Sequence, residues 1–81
     1  MKIKIYSMPN CLKCQQLKEF LKEENIQFED VNISDNERAK QEMIYKSKQN
    51  SAPVIEIRKS HSVGILVGFD KEILKQTLNI K

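Results

Sequence analysis

Both cysteines of this 81-residue chain fall within six residues, Pro9-Asn10-Cys11-Leu12-Lys13-Cys14, and that stretch sits at a seam between two periodicities. Upstream, Lys2-Ile3-Lys4-Ile5-Tyr6 alternates polar and apolar with a period of two, as a strand does, and Pro9 ends any regular extension. Downstream, Cys14, Leu17, Phe20 and Leu21 recur at helical spacing. The pattern predicts a helix that starts at the cysteines, with Asn10 as N-cap and Cys11 at the first helical position. A helix N-terminus carries roughly half a positive charge and several unpaired N–H groups, and both favour a thiolate. Lys13 adds a cation in the same turn. It helps the sulfur ionise while opposing the helix dipole, a locally unfavourable choice of the kind found at functional sites. Cys14, one turn on, lies over Cys11 on one helical face, where it can attack a disulfide formed there.

Two other uses of a cysteine pair are half of a zinc site and a structural cross-link. Zinc needs four protein ligands, or three plus water, and the chain offers two cysteines and one distant histidine, His61, expected in an exposed loop. Redox chemistry is the stronger reading, on the strand, cap, CxxC and helix context rather than on spacing alone. The length predicts a single domain over residues 1–81. No apolar run is long enough to cross a membrane, and the first strand, with its interleaved lysines, lacks the continuous apolar core of a signal peptide. A cytoplasmic location is therefore expected, and in that reducing setting a lone CxxC is catalytic more readily than structural. The net charge of +3 is spread over mixed-sign stretches such as Lys22-Glu23-Glu24. Nucleic acid is not an expected partner, whereas acidic proteins remain open.

Along the rest of the chain, Glu24-Asn25 reads as a helix end and Gln27 to Ile33 as a second strand, with Phe28, Val31 and Ile33 changing phase as if over a bulge. Ser34-Asp35-Asn36-Glu37 has the form of a capping box, with Ser34 as N-cap of a polar helix whose thin apolar stripe is Ala39, Met43, Ile44 and Tyr45. Lys2 and Lys4 are expected to run their stems under that helix. Asn50-Ser51-Ala52-Pro53 is a loop before two strands, Val54 to Ile57 and Val63 to Val67, joined as a hairpin. Gly68 breaks the second. Asp70 then caps a last helix reaching Ile80, with Phe69 and Leu74 spaced as a hydrophobic staple and Ile73, Leu74, Thr77 and Leu78 buried. The order predicts a mixed four-stranded sheet with helices on both faces, and a CxxC outside the carboxyl end of the first strand, where ligands of open α/β sheets bind.

With these residues in place, the chain resembles the thioredoxin fold (βαβαββα), and within it glutaredoxins and the small NrdH-type redoxins that serve ribonucleotide reductase. The resemblance rests on Pro9-Asn10-Cys11-Leu12-Lys13-Cys14, Ser51-Ala52-Pro53-Val54-Ile55 and Gly68-Phe69-Asp70. It implies that Pro53 is cis beside the CxxC, that the backbone at Ala52 pairs with bound substrate, and that Gly68, Phe69 and Asp70 complete the substrate site. Glutathione-using glutaredoxins carry Pro and Tyr inside the CxxC, where this chain has Leu12 and Lys13, and paired glycines and aspartates later, where it has Val67-Gly68-Phe69-Asp70-Lys71. Lys71 in place of a second aspartate removes an anion for the glutathione ammonium. The resemblance therefore favours an NrdH-type redoxin, reduced by thioredoxin reductase, over a glutathione-dependent glutaredoxin.

The chemistry expected is thiol–disulfide exchange, with Cys11 as nucleophile, Cys14 as resolving thiol and Lys13 as electrostatic modulator. No tightly bound cofactor is expected beyond the redox-active cysteine pair itself. NADPH would act only through a reductase, glutathione remains possible, the substrate would be a protein disulfide, and the protein a monomer. The rival of another class is a small metal-binding module, since Met8 before a CxxC resembles metallochaperones that hold soft ions on two thiolates. Those folds end on a strand, where this chain is expected to end on a helix.

Overall fold

The computed structural model describes residues 1–79. They form β1 (Lys2–Ser7), α1 (Leu12–Glu23), β2 (Glu29–Asn32), a short 3-10 turn (Ile33–Asp35), α2 (Glu37–Ser47), β3 (Val54–Arg58), β4 (Val63–Val67) and α3 (Lys71–Leu78). The sheet order is β2-β1-β3-β4. β1 and β2 run parallel, as a strand–helix–strand unit requires, and β3 lies antiparallel to both β1 and β4. The expected mixed four-stranded sheet with three helices is present. No helix among the described residues is long and apolar enough to cross a membrane.

The two faces of the sheet are built differently. On one, Ile3 and Ile5 of β1 and Ile55 and Ile57 of β3 pack against Leu17, Phe20 and Leu21 of α1 and Leu74 and Leu78 of α3. Burying each such side chain stabilises the fold by about 1.5–3 kcal/mol. On the other, Tyr6 and Val54 meet Ile33, Ala39 and Met43. There the apolar layer gives way to an ionic one. Glu56 of β3, 4% exposed, pairs with Lys46, which also pairs with Glu42, and Glu42 in turn takes bonds from Lys4 and the Tyr6 hydroxyl. Lys4 does run under α2, whereas Lys2 stays exposed, because no carboxylate of α2 reaches it.

Several expected details differ. Cys11, and not Asn10, is the N-cap of α1, and Asn10 adopts a left-handed backbone (φ 58°) that an asparagine tolerates. β2 begins at Glu29 rather than Gln27 and has no bulge. Its phase change arises because Phe28 packs toward α1 and α3 while Val31 and Ile33 pack toward α2, as alternate residues of a strand do. The capping box at Ser34 does not form. Ser34 is tied by its N–H and hydroxyl to Asn32 Oδ1 within the 3-10 turn, so Asn36 becomes the cap, accepting from Ala39 N–H at 3.0 Å. Tyr45 is 77% exposed and lies outside the apolar stripe of α2. In α3, Leu74 and Leu78 are buried, but Ile73 is 48% exposed and Thr77 only half-buried, since so short a helix turns a narrow face to the sheet. Ile80 lies outside the described residues. Asp70 caps α3 as expected, its Oδ1 accepting from Glu72 and Ile73 N–H, and Phe69 packs against the cluster that holds Leu74.

Candidate functional site

β1 delivers the chain to the site. It ends at Ser7, Pro9 and Asn10 turn it, and α1 starts immediately after Cys11. As N-cap, Cys11 keeps an extended backbone (φ −113°, ψ 105°), and its Sγ accepts the Cys14 N–H at 3.1 Å. The first turn of α1 holds no acidic residue, so nothing offsets the positive end of the helix. A sulfur placed there takes up a backbone N–H that the helix itself leaves without a partner.

Cys11 and Cys14 form a disulfide, with Cα atoms 5.2 Å apart. The two cysteines are not equivalent. Cys11 is half-exposed, whereas Cys14 faces the sheet and is 1% exposed. A partner from solution therefore reaches Cys11 first, and Cys14 is reached through it.

Two more segments arrive at the same end of the sheet. Val54 pairs with Tyr6 on one side and Val67 on the other, which places the residues just before Val54 and just after Val67 next to the turn that leaves β1. The Ala52–Pro53 bond is cis and Pro53 is buried. Gly68 N–H donates to the Pro53 carbonyl at 2.8 Å, and Gly68 holds φ +80°, a conformation that suits glycine. Ala52 is half-buried, while Met8 and Leu12 expose 42% and 68% of their surface, so the rim is partly apolar. Phe69 packs on Phe20, with ring centroids 6.0 Å apart at 50°. Lys71 follows it, its Nζ 5.7 Å from the Phe20 ring. Lys13 is exposed in the first turn of α1. Of the residues expected at the site, the topology brings Cys11, Cys14, Ala52, Pro53 and Gly68 to one end of the sheet, and Phe69 and Asp70 stand at the start of α3.

A hollow of about 810 Å³ lies at the other end of the sheet, lined by Lys2, Lys4, Glu42, Lys46 and Arg58 among others, and neither cysteine lines it. The chemistry follows the sulfurs, not the volume. Among the described residues no group of three or more His, Cys, Asp or Glu side chains is arranged to hold a metal ion.

One feature of the site escapes sequence reading. Ser7, at the end of β1, is 2% exposed and donates to Asp30 Oδ1 at 2.6 Å, and Lys18 of α1 pairs with Asp30 Oδ2 at 2.8 Å. Burial pushes the Asp30 carboxyl up, but the bonds from Lys18 and Ser7 outweigh it and hold the group below its ordinary value. Residues 7, 18 and 30 share no local motif, so only the parallel register of β1 and β2 brings them together.

The chain is similar to several known proteins. The glutaredoxin family model matches residues 3–62. A glutaredoxin-like 8.6 kDa protein of the rubredoxin operon of Clostridium pasteurianum is 48% identical over 69 residues, spanning 85% of this chain and 87% of that protein. The crystal structure of a thioredoxin-like protein superposes with a TM-score of 0.86 at 32% identity, covering 99% of this chain and 97% of the other. The glutaredoxin of Archaeoglobus fulgidus gives 0.80 at 23% identity, covering 95% and 85%. The NrdH-redoxin of Escherichia coli gives 0.79 at 21%, covering 94% and 93%. At those identities the last two speak for the fold alone, which is thioredoxin-like. A helix-capping cysteine bonded to a buried one, a cis-proline at the same end of the sheet, and a family match over residues 3–62 lead to one conclusion: the chain belongs to the glutaredoxin family and is a thiol–disulfide oxidoreductase.

Proposed function

We propose that this protein is a dithiol electron donor that reduces protein disulfides, with Cys11 as nucleophile and Cys14 as resolving thiol. The observation that carries the reading is the asymmetry of the pair, one sulfur half-exposed on a helix cap and the other buried behind it. The Cys11 thiolate attacks a substrate disulfide and forms a mixed disulfide. Cys14 then attacks Cys11, the substrate leaves as a thiol, and the protein is left oxidised. Lys13 favours the Cys11 thiolate, and the backbone at Ala52 and Pro53, with Gly68, aligns the incoming chain. No tightly bound cofactor enters this scheme, and the protein acts as a monomer in the cytoplasm.

For the electron source we favour thioredoxin reductase, with NADPH used only through it, and for the substrate ribonucleotide reductase. Two observations weigh against glutathione. The Oδ1 of Asp70 is occupied in capping α3, and the neighbouring Lys71 brings a cation where a glutathione ammonium would need an anion. The deciding measurement is NADPH consumption by the oxidised protein with thioredoxin reductase alone, against glutathione plus glutathione reductase. Turnover with the first only supports the NrdH-type reading, and turnover with the second only makes this a glutathione-dependent glutaredoxin. Cys11→Ser is expected to abolish turnover in either assay, and a fully active Cys11→Ser protein would overturn the assignment.

A further inference from the structure

β4 ends the sheet order, so its outer edge has no neighbouring strand. Which groups it leaves free follows from the register. Gly68 N–H donates to the Pro53 carbonyl and Lys59 N–H to the Ser62 carbonyl, so the hydrogen-bonded pairs of β3 and β4 are 53/68, 55/66, 57/64 and 59/62. The residues between them, Val63, Ile65 and Val67, therefore turn N–H and C=O outward, and among the described residues these groups have no hydrogen-bond partner. The strand reads Val63-Gly64-Ile65-Leu66-Val67, without the charge or proline that commonly keeps an edge unpaired. β2, at the opposite edge, is four residues long and carries Glu29 and Asp30, so it is guarded. Val63 and Val67 are 56% and 51% exposed, and a Cβ built on Gly64 or Gly68 would meet nothing within 4 Å, so the space beside both glycines is open.

A second copy of the chain is a poor occupant, since five residues a side fall far short of the roughly 20–30 that a stable interface uses. An edge this short holds only a segment already tethered nearby, and the disulfide site supplies the tether. β4 runs into Gly68, at the same end of the sheet as Cys11. A strand added outside β4 lies three strand spacings from β1, roughly 14 Å, which about four extended residues span. We propose that the β4 edge takes up an extended, uncharged segment of the substrate protein as a fifth strand while the substrate cysteine is bonded to Cys11. The proposal rests on the nucleophilic role given to Cys11 above and adds a substrate class to it. The backbone groups of Val63, Ile65 and Val67 bind the segment, and their side chains, which share the α2 side of the sheet with the cluster that Ile65 packs against, favour apolar residues at alternate positions. The favoured substrate thus carries a strand-forming stretch about four residues from its reacting cysteine.

The test uses the Cys14→Ser protein, which holds the mixed disulfide, and a peptide whose N-terminal cysteine is activated as a disulfide with thionitrobenzoate. A four-residue glycine–serine spacer and five alternating threonine and valine residues follow that cysteine. The Cys11 thiolate attacks the peptide sulfur, a disulfide forms between them, and thionitrobenzoate leaves as a thiolate with the electron pair; its release and the gain in mass confirm the link. Amide hydrogen exchange, followed by NMR, is then the readout. In the linked protein the N–H groups of Val63, Ile65 and Val67 are expected to exchange about tenfold more slowly than in the unlinked one, as a millimolar effective concentration allows for a weak strand, while the amides of β2 stay unchanged. The same peptide N-methylated at its strand residues, which has no N–H left to pair, is expected to link equally and protect nothing. Unchanged exchange with the first peptide, or equal protection with the methylated one, overturns the proposal. Protection already present in the unlinked protein and growing with its concentration assigns the edge to a second copy, and overturns it as well. A peptide that fails to link at Cys11 overturns the role of Cys11 and the proposal with it, whereas linkage without protection overturns the β4 edge alone.

Discussion

The two faces of the sheet solve the same problem with different chemistry. Under α1 and α3, nine buried apolar residues form one cluster among the described residues. Under α2, the cluster among the described residues has five buried members with Val31, Ile44, Ala52 and Ile65 half-buried against it, and an ionic layer of Lys4, Glu42, Lys46 and Glu56 with the Tyr6 hydroxyl lies beside it. The difference teaches where stability is concentrated. Apolar burial contributes to folding without needing a partner of fixed geometry, whereas taking a charge such as Glu56 out of water is costly and is offset only while its partner stays in place. The cysteine-bearing helix lies on the first kind of face, so the redox site is carried by the more robust half of the molecule.

That contrast can be broken by measurement. Leu21→Ala, on the apolar face, is expected to cost about 2–5 kcal/mol in denaturant unfolding, from lost burial and the cavity left behind. Lys46→Met comes next, at about 2 kcal/mol, because it leaves the buried Glu56 with only the exposed Arg58 at 3.5 Å; the figure is set below that of a fully buried pair because of that second partner and because Lys46 is 24% exposed. The double variant Lys46→Met/Glu56→Leu should return to within about 1 kcal/mol of the parent, since no charge is then left buried alone. A double variant as unstable as the single one would show that the ionic face contributes net stability after all.

A smaller effect is expected with pH. Bonds from the Tyr6 hydroxyl, then Lys4 and Lys46, pull the Glu42 carboxyl down to about 2. A depressed acid contributes stability that is present above its unfolded value near 4.5 and is lost as pH falls through its folded value. Glu42→Gln should therefore flatten the acid limb of the stability curve between about pH 4.5 and 2, by about 1 kcal/mol for a side chain this exposed. An acid limb unchanged in Glu42→Gln would remove Glu42 from the network. Smallest of all, Tyr45→Ser on the outer side of α2 should change stability by no more than about 0.5 kcal/mol, and a larger loss would mean that α2 is held by more than its inner face.

Much of this arrangement is legible in the residues. The period-two run of β1, the helical spacing of Cys14, Leu17, Phe20 and Leu21, the breaks at Pro9 and Gly68, and the cap at Asp70 are local signals, and each holds because the neighbours that decide it are a few residues away. The CxxC at a strand–helix seam likewise announces the redox site before any contact is known. The cap positions were less legible. Asn10 and Ser34 have the chemistry of caps, yet the path of the chain puts Asn10 in a left-handed turn and ties Ser34 to Asn32, so Cys11 and Asn36 take the role. A capping side chain needs the right backbone as well as the right atoms, and the backbone at a helix entrance is settled by what the preceding strand pairs with.

The amino-acid order by itself determined the elements, their sequence along the chain and the identity of the two sulfurs, because periodicity and local capping act over one or two turns. Tertiary structure alone decided that Cys11 and Cys14 differ in exposure, that Glu56 meets Lys46, and that Ser7 meets Asp30 and Lys18. Those pairings depend on strand register and on the rotation of a helix over the sheet. A shift of one residue along β1 or β2 would turn Ser7 or Asp30 to the opposite face and break that pairing.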